Sequence, residues 1–214
     1  MTKAERELKL QEKLEELKNY DLKENKRVLG IDEAGRGPLA GPVVVAGVVM
    51  KNDSKLLGVR DSKKISEKLR EELYDKIIEE AEGYYIAFRD NEQIDKVNIL
   101  QATKDATEEI IYNLKDKADM VFLDALNGID TYGIESRSII KGDDTSYAIS
   151  CASILAKVTR DRIMKEYDKI YPEYDFAKHK GYGTKAHYEA IFENGITKIH
   201  RKSFLKNLEN HKKK

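Results

Sequence analysis

Apolar positions along this chain change period several times, and each change marks an element. Leu10, Leu14 and Leu17 recur at helical spacing and predict an amphipathic helix over residues 4–20. An apolar run opens at Val28, and a second fills Val43 to Met50; together they read as two buried strands. Ser66 is a suitable N-cap for a helix carrying Leu69, Leu73 and Ile77 on one face. A short strand is expected over Tyr84 to Phe88, and a helix through Ile99, Ala102, Ala106, Ile110 and Leu114. Met120 to Asp124 reads as a buried strand ending in a carboxylate, and Arg137 to Lys141 as another strand running into Gly142 and Asp143. A long helix is predicted from about Ser146 to Tyr167. Its first half is rich in small residues (Ala148, Ser150, Cys151, Ala152, Ser153, Ala156), which permits close packing on a sheet. Tyr182-Gly183 breaks the chain before a last helical region from about Lys185. A strand pair followed by alternating helices and strands implies an α/β domain, a mixed sheet with helices on its faces.

Polar residues at the strand ends carry the candidate chemistry. Val28 to Ala34 ends in two adjacent carboxylates, Asp32 and Glu33, followed by the turn Gly35-Arg36-Gly37. Such a turn sets backbone N–H groups and a guanidinium, both suited to phosphate, beside oxygen ligands suited to a hard divalent cation. Acidic residues make up 39 of 214, so one adjacent pair is unremarkable by itself. Location adds weight, because Asp32, Asp124 and Asp143 each close a strand-like run, where desolvation penalises a carboxylate that lacks a partner or a metal. Salt bridges to the many lysines remain the competing explanation. A site suited to both metal and phosphate suggests phosphodiester chemistry.

Composition narrows the picture further. The mean hydropathy of -0.64 and the absence of any apolar run near the ~20 residues of a membrane span predict a soluble protein without a membrane partner. A charged N-terminus reads as no signal peptide, and the single Cys151 fits a reducing cytoplasm and buried packing. Net charge is zero, yet residues 178–214 hold ten Lys and Arg against three Glu, together with all four histidines. Charge segregated in this way favours a polyanionic partner. The spacing of His179, His187, His200 and His211 matches no compact zinc pattern. Neither the phosphate-binding loop Gly-x-x-x-x-Gly-Lys-Ser/Thr nor the dinucleotide fingerprint is present, which ranks a nucleotide-binding module last.

Several motifs in order carry a more specific signal. Gly30-Ile-Asp-Glu-Ala-Gly-Arg-Gly-Pro-Leu-Ala-Gly-Pro42 is followed by Asp61-Ser-Lys-Lys, then Lys141-Gly-Asp143 with Ala152-Ser-Ile-Leu-Ala-Lys-Val-Thr-Arg-Asp161, and finally Lys180-Gly-Tyr-Gly-Thr-Lys-Ala-His187. The series closely resembles bacterial ribonuclease HII, the type 2 ribonuclease H, from about residue 26 to 206. That resemblance implies a ribonuclease H-like mixed sheet with a small helical C-terminal region. It divides the chain into a helical lead (1–25), a catalytic domain (26–175) and a basic helical substrate-binding region (176–214). It further implies a monomeric, cytoplasmic endoribonuclease that hydrolyses the RNA strand of RNA–DNA hybrids. Ribonucleotide-containing duplex DNA would be nicked 5′ of a single embedded ribonucleotide, leaving 3′-hydroxyl and 5′-phosphate ends.

By the same resemblance Asp32, Glu33, Asp124 and Asp143 are the catalytic carboxylates and hold two Mg²⁺ or Mn²⁺ ions. Asp144 is the rival for the fourth place. Asp124-Ala-Leu-Asn-Gly departs from the usual continuation of its strand, which weakens the alignment of that loop but not of the aspartate. The backbone of Gly35, Arg36 and Gly37 would sense a ribose 2′-hydroxyl, the group that separates RNA from DNA locally. Tyr182 would stack on the sugar that follows. Ser62, Lys63 and Lys64 would contact phosphate, and Lys180, Lys185 and Arg201 are expected to do so from the basic tail.

Overall fold

A computed structural model describes residues 2–211 of the chain. Residues 1 and 212–214, which belong to the two terminal segments of the sequence reading, lie outside the described residues. Five strands form one sheet: β1 (Val28–Ala34), β2 (Val43–Met50), β3 (Ala81–Arg89), β4 (Met120–Asp124) and β5 (Glu135–Ile139). Their spatial order is β3-β2-β1-β4-β5. The first three strands pair antiparallel, whereas β4 lies parallel to β1 and β5 parallel to β4. The helices are α1 (Lys3–Leu22), α2 (Glu67–Glu80), α3 (Asn91–Val97), α4 (Ile99–Leu114), α5 (Tyr147–Ile170), α6 (Phe176–His179) and α7 (Lys185–Asn194). None of the described helices is long and apolar enough to cross a membrane.

The central strands are buried on both faces, so β1 and β2 read as apolar runs rather than alternations. One face packs on α4 through Leu29, Ile31, Val45, Ile110 and Ile111. The other face receives α5 at Gly30. A Cβ built there would stand 2.2 Å from the Ala148 carbonyl carbon, so only glycine lets the helix axis come this close. Small residues on α5 complete the fit, and Cys151 is a fully buried free thiol. Helix α1 clamps the start of α5. The Asp21 carboxylate accepts the Ala148 N–H at 2.8 Å at the positive end of the helix. Lys18 donates to the Ser54 carbonyl at 2.7 Å, and Lys13 to the Asp144 carbonyl at 2.9 Å.

Several elements differ from their expected extent: β3 begins three residues before Tyr84, and α5 runs three residues past Tyr167. β5 ends two residues early, because its pairing with β4 stops at Ile139 opposite Asp124. Ile140 is then 82% exposed, and Lys141 turns left-handed at φ 57°. α3 was not expected at all, although Asp90 and Gln93 form a reciprocal capping box at its start. The C-terminal region is less helical than its composition suggests. It combines α6, α7 and short 3₁₀ turns, and it meets the β1–β2 connection through an isolated β-bridge between Ala40 and His200.

Candidate active site

The parallel pairing of β1 and β4 is what assembles the carboxylates. Ile31 lies opposite Leu123, so the next residue on each strand, Asp32 and Asp124, emerges at the same end of the sheet. Lys141-Gly142 then brings the chain back over that end. The Gly142 N–H donates to Asp124 Oδ1 at 2.7 Å, and the short 3₁₀ turn Gly142–Asp144 presents Asp143. Carboxylate oxygens of Asp32, Asp124 and Asp143 lie within 4.8 Å of one another. Glu33 stands outside this trio and accepts from Arg36 Nη1 at 3.3 Å.

Three like charges this close repel, and burial compounds the cost. Burial, with Glu33 and Asp124 adding to it, holds the Asp32 carboxyl well above the usual carboxylate range. Burial likewise raises Asp143 to about 6, helped by Asp61 and Asp124. Glu33 is raised by burial and partly relieved by Arg36. Lys63 Nζ lies 3.9 Å from Asp143 Oδ2; burial works against its charge, but the field of Asp143, Asp32, Asp61 and Asp124 prevails and raises its pKa. This donor set fits a hard divalent cation: oxygen ligands only, gathered from three elements.

Asp143 and Asp144 separate cleanly by their surroundings. The Asp144 carboxylate accepts from Lys64 Nζ at 2.8 Å and lies 3.9 Å from Lys13 Nζ. That hydrogen bond from Lys64 lowers its pKa. Asp144 therefore belongs to a lysine pair at the rim, and Asp143 to the carboxylate cluster.

A groove of about 270 Å³ leads away from the carboxylates, lined by Asp32, Glu33, Gly35, Arg36, Gly37, Ser62, Lys63, Ser153, Lys157 and Tyr182. Of the residues expected to touch substrate, Gly35, Arg36, Gly37, Ser62, Lys63 and Tyr182 lie along it, whereas Lys64, Lys180, Lys185 and Arg201 do not. Tyr182 Cε1 stands 3.7 Å from where a Gly37 Cβ would be, so the ring flanks the Gly-Arg-Gly turn. Tyr182 is 46% exposed, open enough to receive a ligand.

Beneath the turn are two buried guanidiniums. Arg201 donates to the carbonyls of Gly35 at 2.6 Å, Arg36 at 3.0 Å and Gly41 at 2.9 Å. Arg160 donates to the carbonyls of Pro42, Ala40 and Lys180. Gly35 sits at φ 99°, with Arg160 Nε 2.1 Å from the Cβ position, so a side chain there is barred twice over. Among the described residues neither arginine has a carboxylate within salt-bridge distance. Burial lowers Arg160 to about 10 and Arg201 to about 9, and both remain cations at neutral pH. The expectation that Arg201 contacts phosphate is thus corrected: it is fully buried and spends its donors on backbone carbonyls. It reaches a polyanion only through the positive potential it supplies under the turn.

Sequence reasoning passed over Arg160, Ser153 and Lys157 as site residues, although a signal was present. Ser146, Ser150, Ser153, Lys157 and Arg160 recur at steps of three and four along α5, a polar stripe on an otherwise apolar and small helix. The Ser153 and Ser62 hydroxyls share a hydrogen bond at 2.9 Å, which ties the Asp61-Ser-Lys-Lys loop to α5 beside Asp32. Lys157, at the groove wall, is paired with Asp161 at 2.6 Å.

Comparison with known proteins agrees with this geometry. The family model described as Ribonuclease HII matches residues 29–207. A curated ribonuclease HII of Clostridioides difficile (strain 630) is 59% identical over 181 residues, covering 84% of this chain and 70% of its own. Among solved structures, the PCNA:RNase HII complex from Archaeoglobus fulgidus superposes with a TM-score of 0.72 at 30% identity, covering 85% of this chain and 96% of that one. Ribonuclease H2 from Pyrococcus horikoshii OT3 gives a TM-score of 0.71 at 25% identity, over 87% and 99%.

Proposed function

This chain belongs to the ribonuclease HII family, and we propose that it nicks duplex DNA 5′ of single embedded ribonucleotides as well as cutting the RNA strand of RNA–DNA hybrids. The products carry 3′-hydroxyl and 5′-phosphate ends, and the role is removal of ribonucleotides from DNA. The observation that carries the reading is the carboxylate trio, with oxygens within 4.8 Å, opening directly onto the groove that holds the Gly-Arg-Gly turn and Tyr182.

Asp32, Asp124 and Asp143, with Glu33 beside them, would hold the metal. When bound there, two divalent ions, Mg²⁺ or Mn²⁺, would supply Lewis acidity to the scissile phosphate and the attacking water. The chain contributes placement. Lys63, beside Asp143, offsets the negative corner and offers a contact to the incoming backbone. Ser62, anchored by Ser153, offers a hydroxyl at the same wall. The turn at Gly35 to Gly37 has no Cβ at either glycine, so its main chain can approach a ribose closely enough to test for the 2′-hydroxyl. Tyr182 then stacks on the next sugar, which lies flatter against the ring when it lacks that hydroxyl.

A cleavage assay on a DNA duplex with one ribonucleotide tests this directly. With Mg²⁺ or Mn²⁺ a single nick is expected 5′ of the ribonucleotide, with no cut in the all-DNA control and none in chelator. Metal-independent cutting, or a nick on the 3′ side, contradicts the reading.

A further inference from the structure

His179, His187 and His200, dispersed in sequence, meet behind Tyr182. The His179 and His187 rings stack with centroids 4.5 Å apart, and His187 Nε2 lies 3.0 Å from His200 Nε2. His187 and His200 are buried completely or nearly so. Hydrogen-bond direction through this array is fixed from one end. The Thr197 N–H must donate, and it does so to His200 Nδ1 at 2.9 Å. A neutral His200 therefore carries its proton on Nε2 and donates it to His187 Nε2. That leaves the His187 proton on Nδ1, which donates to the Tyr182 carbonyl at 2.9 Å. Burial lowers both rings to about 4, so the neutral arrangement holds at working pH.

The receiving carbonyl sits on a segment that needs support. Lys180 and Gly181 are both left-handed, at φ 53° and 81°, and a non-glycine residue adopts that conformation only when its surroundings impose it. His179 holds the entry, with its Nδ1 accepting from the Gly181 N–H at 3.1 Å. His187 holds the exit, sharing the Tyr182 carbonyl with the Thr184 N–H at 2.8 Å. Nothing in the array reaches the carboxylates, and it lines no part of the groove.

We propose that the Thr197–His200–His187 chain is a positioning relay that sets where the Tyr182 ring stands beside Gly37. His187 and His200 then govern discrimination between a ribonucleotide–DNA junction and a continuous hybrid, not the chemical step. The discrimination part rests on the junction-reading role of Tyr182 given above.

The test compares kcat and KM on a single-ribonucleotide duplex and on a continuous hybrid. His187→Leu should lower kcat/KM on the junction about tenfold and on the hybrid about twofold or less. His187→Asn keeps a donor near the Nδ1 position and should recover most of the loss. His200→Gln, whose amide nitrogen can still donate to His187, should stay close to wild type and serves if His187→Leu folds poorly. In a Tyr182→Ala background, His187→Leu should have no further effect. Additive losses there, or equal losses on both substrates with Tyr182→Ala still selective, overturn the relay. If Tyr182→Ala itself slows both substrates equally, the junction-reading role fails instead. The relay is then judged by whether the two substitutions remain non-additive on that common loss.

Discussion

The carboxylate corner and the Gly-Arg-Gly clamp lie side by side, yet they treat buried charge in opposite ways. At the corner, three carboxylates converge with Lys63 as a distant counter-charge, and two of them are held above their usual pKa. In the clamp, Arg160 and Arg201 are equally buried, but six backbone carbonyls absorb their donors. The corner is left under electrostatic tension that a cation relieves, whereas the clamp is satisfied within the protein. A metal-binding site needs unspent ligands, and a surface that measures a ribose needs a backbone that does not move. Substitutions should therefore split: those at the corner cost turnover and not stability, those in the clamp cost stability and selectivity.

The largest effect expected is on turnover at the corner. Asp124→Asn should lower the nicking rate by about 10³-fold or more, since it removes a ligand on which the reaction depends. Its thermal midpoint in chelator should equal or exceed that of wild type, because a repelling charge is gone. A variant that loses activity and unfolds would erase the contrast between the regions. Tyr182→Ala comes next. Stacking on a nucleotide is worth on the order of 1–3 kcal/mol, which implies roughly a ten- to hundredfold loss on a single-ribonucleotide duplex. The continuous hybrid should suffer much less, and Tyr182→Phe should retain most activity, as paired kinetics on the two substrates will show.

In the clamp, Arg201→Met leaves three carbonyls without their buried donor. At about 1–3 kcal/mol each, this predicts a fall in thermal midpoint of order 10 °C, read by calorimetry. A milder effect follows from the histidines behind the clamp. Burial holds their pKa at about 4, below the ordinary imidazole value of 6.5. Their contribution is therefore complete above about pH 6.5 and is lost as the pH falls toward 4. Between pH 6.5 and 5 the midpoint of the wild type should therefore fall by about 5 °C relative to that of His200→Gln, the raised carboxylates of the corner being common to both. Smallest of all, Asp144→Asn should change nicking only about two- or threefold, because Lys64 and Lys13 already hold this carboxylate at the rim. Asp143→Asn should be far more damaging, and the reverse order would move the fourth ligand to Asp144.

The two regions also differed in how well the sequence exposed them. Asp32 and Asp124 were legible because each closes an apolar run, and Asp32, Glu33 and Asp143 because they stand in motifs that resemble the family. Strand order could not be read from periodicity alone, so the 4.8 Å convergence of Asp32, Asp124 and Asp143 needed the parallel pairing of β1 with β4. The clamp was half hidden. Gly35, Gly37 and Tyr182 came from motifs, but Arg201 looked like one more cation in a basic tail. Its burial depends on the Ala40–His200 bridge, a contact between residues 160 positions apart that no local pattern announces. The histidine array escaped for a related reason: zinc spacing is a local pattern, whereas rings that hydrogen-bond to one another obey no fixed separation. β5 was misplaced by two residues because Ile139 and Ile140 look alike in sequence, and only the register with β4 distinguishes the buried one from the exposed one.

The most direct measurement is Mn²⁺ binding by calorimetry, on the wild-type protein, Asp124→Asn and Tyr182→Ala, with no substrate present. Wild type and Tyr182→Ala should bind Mn²⁺ alike, while Asp124→Asn should lose at least tenfold in affinity. Equal binding by all three would show that the metal is not held at this corner.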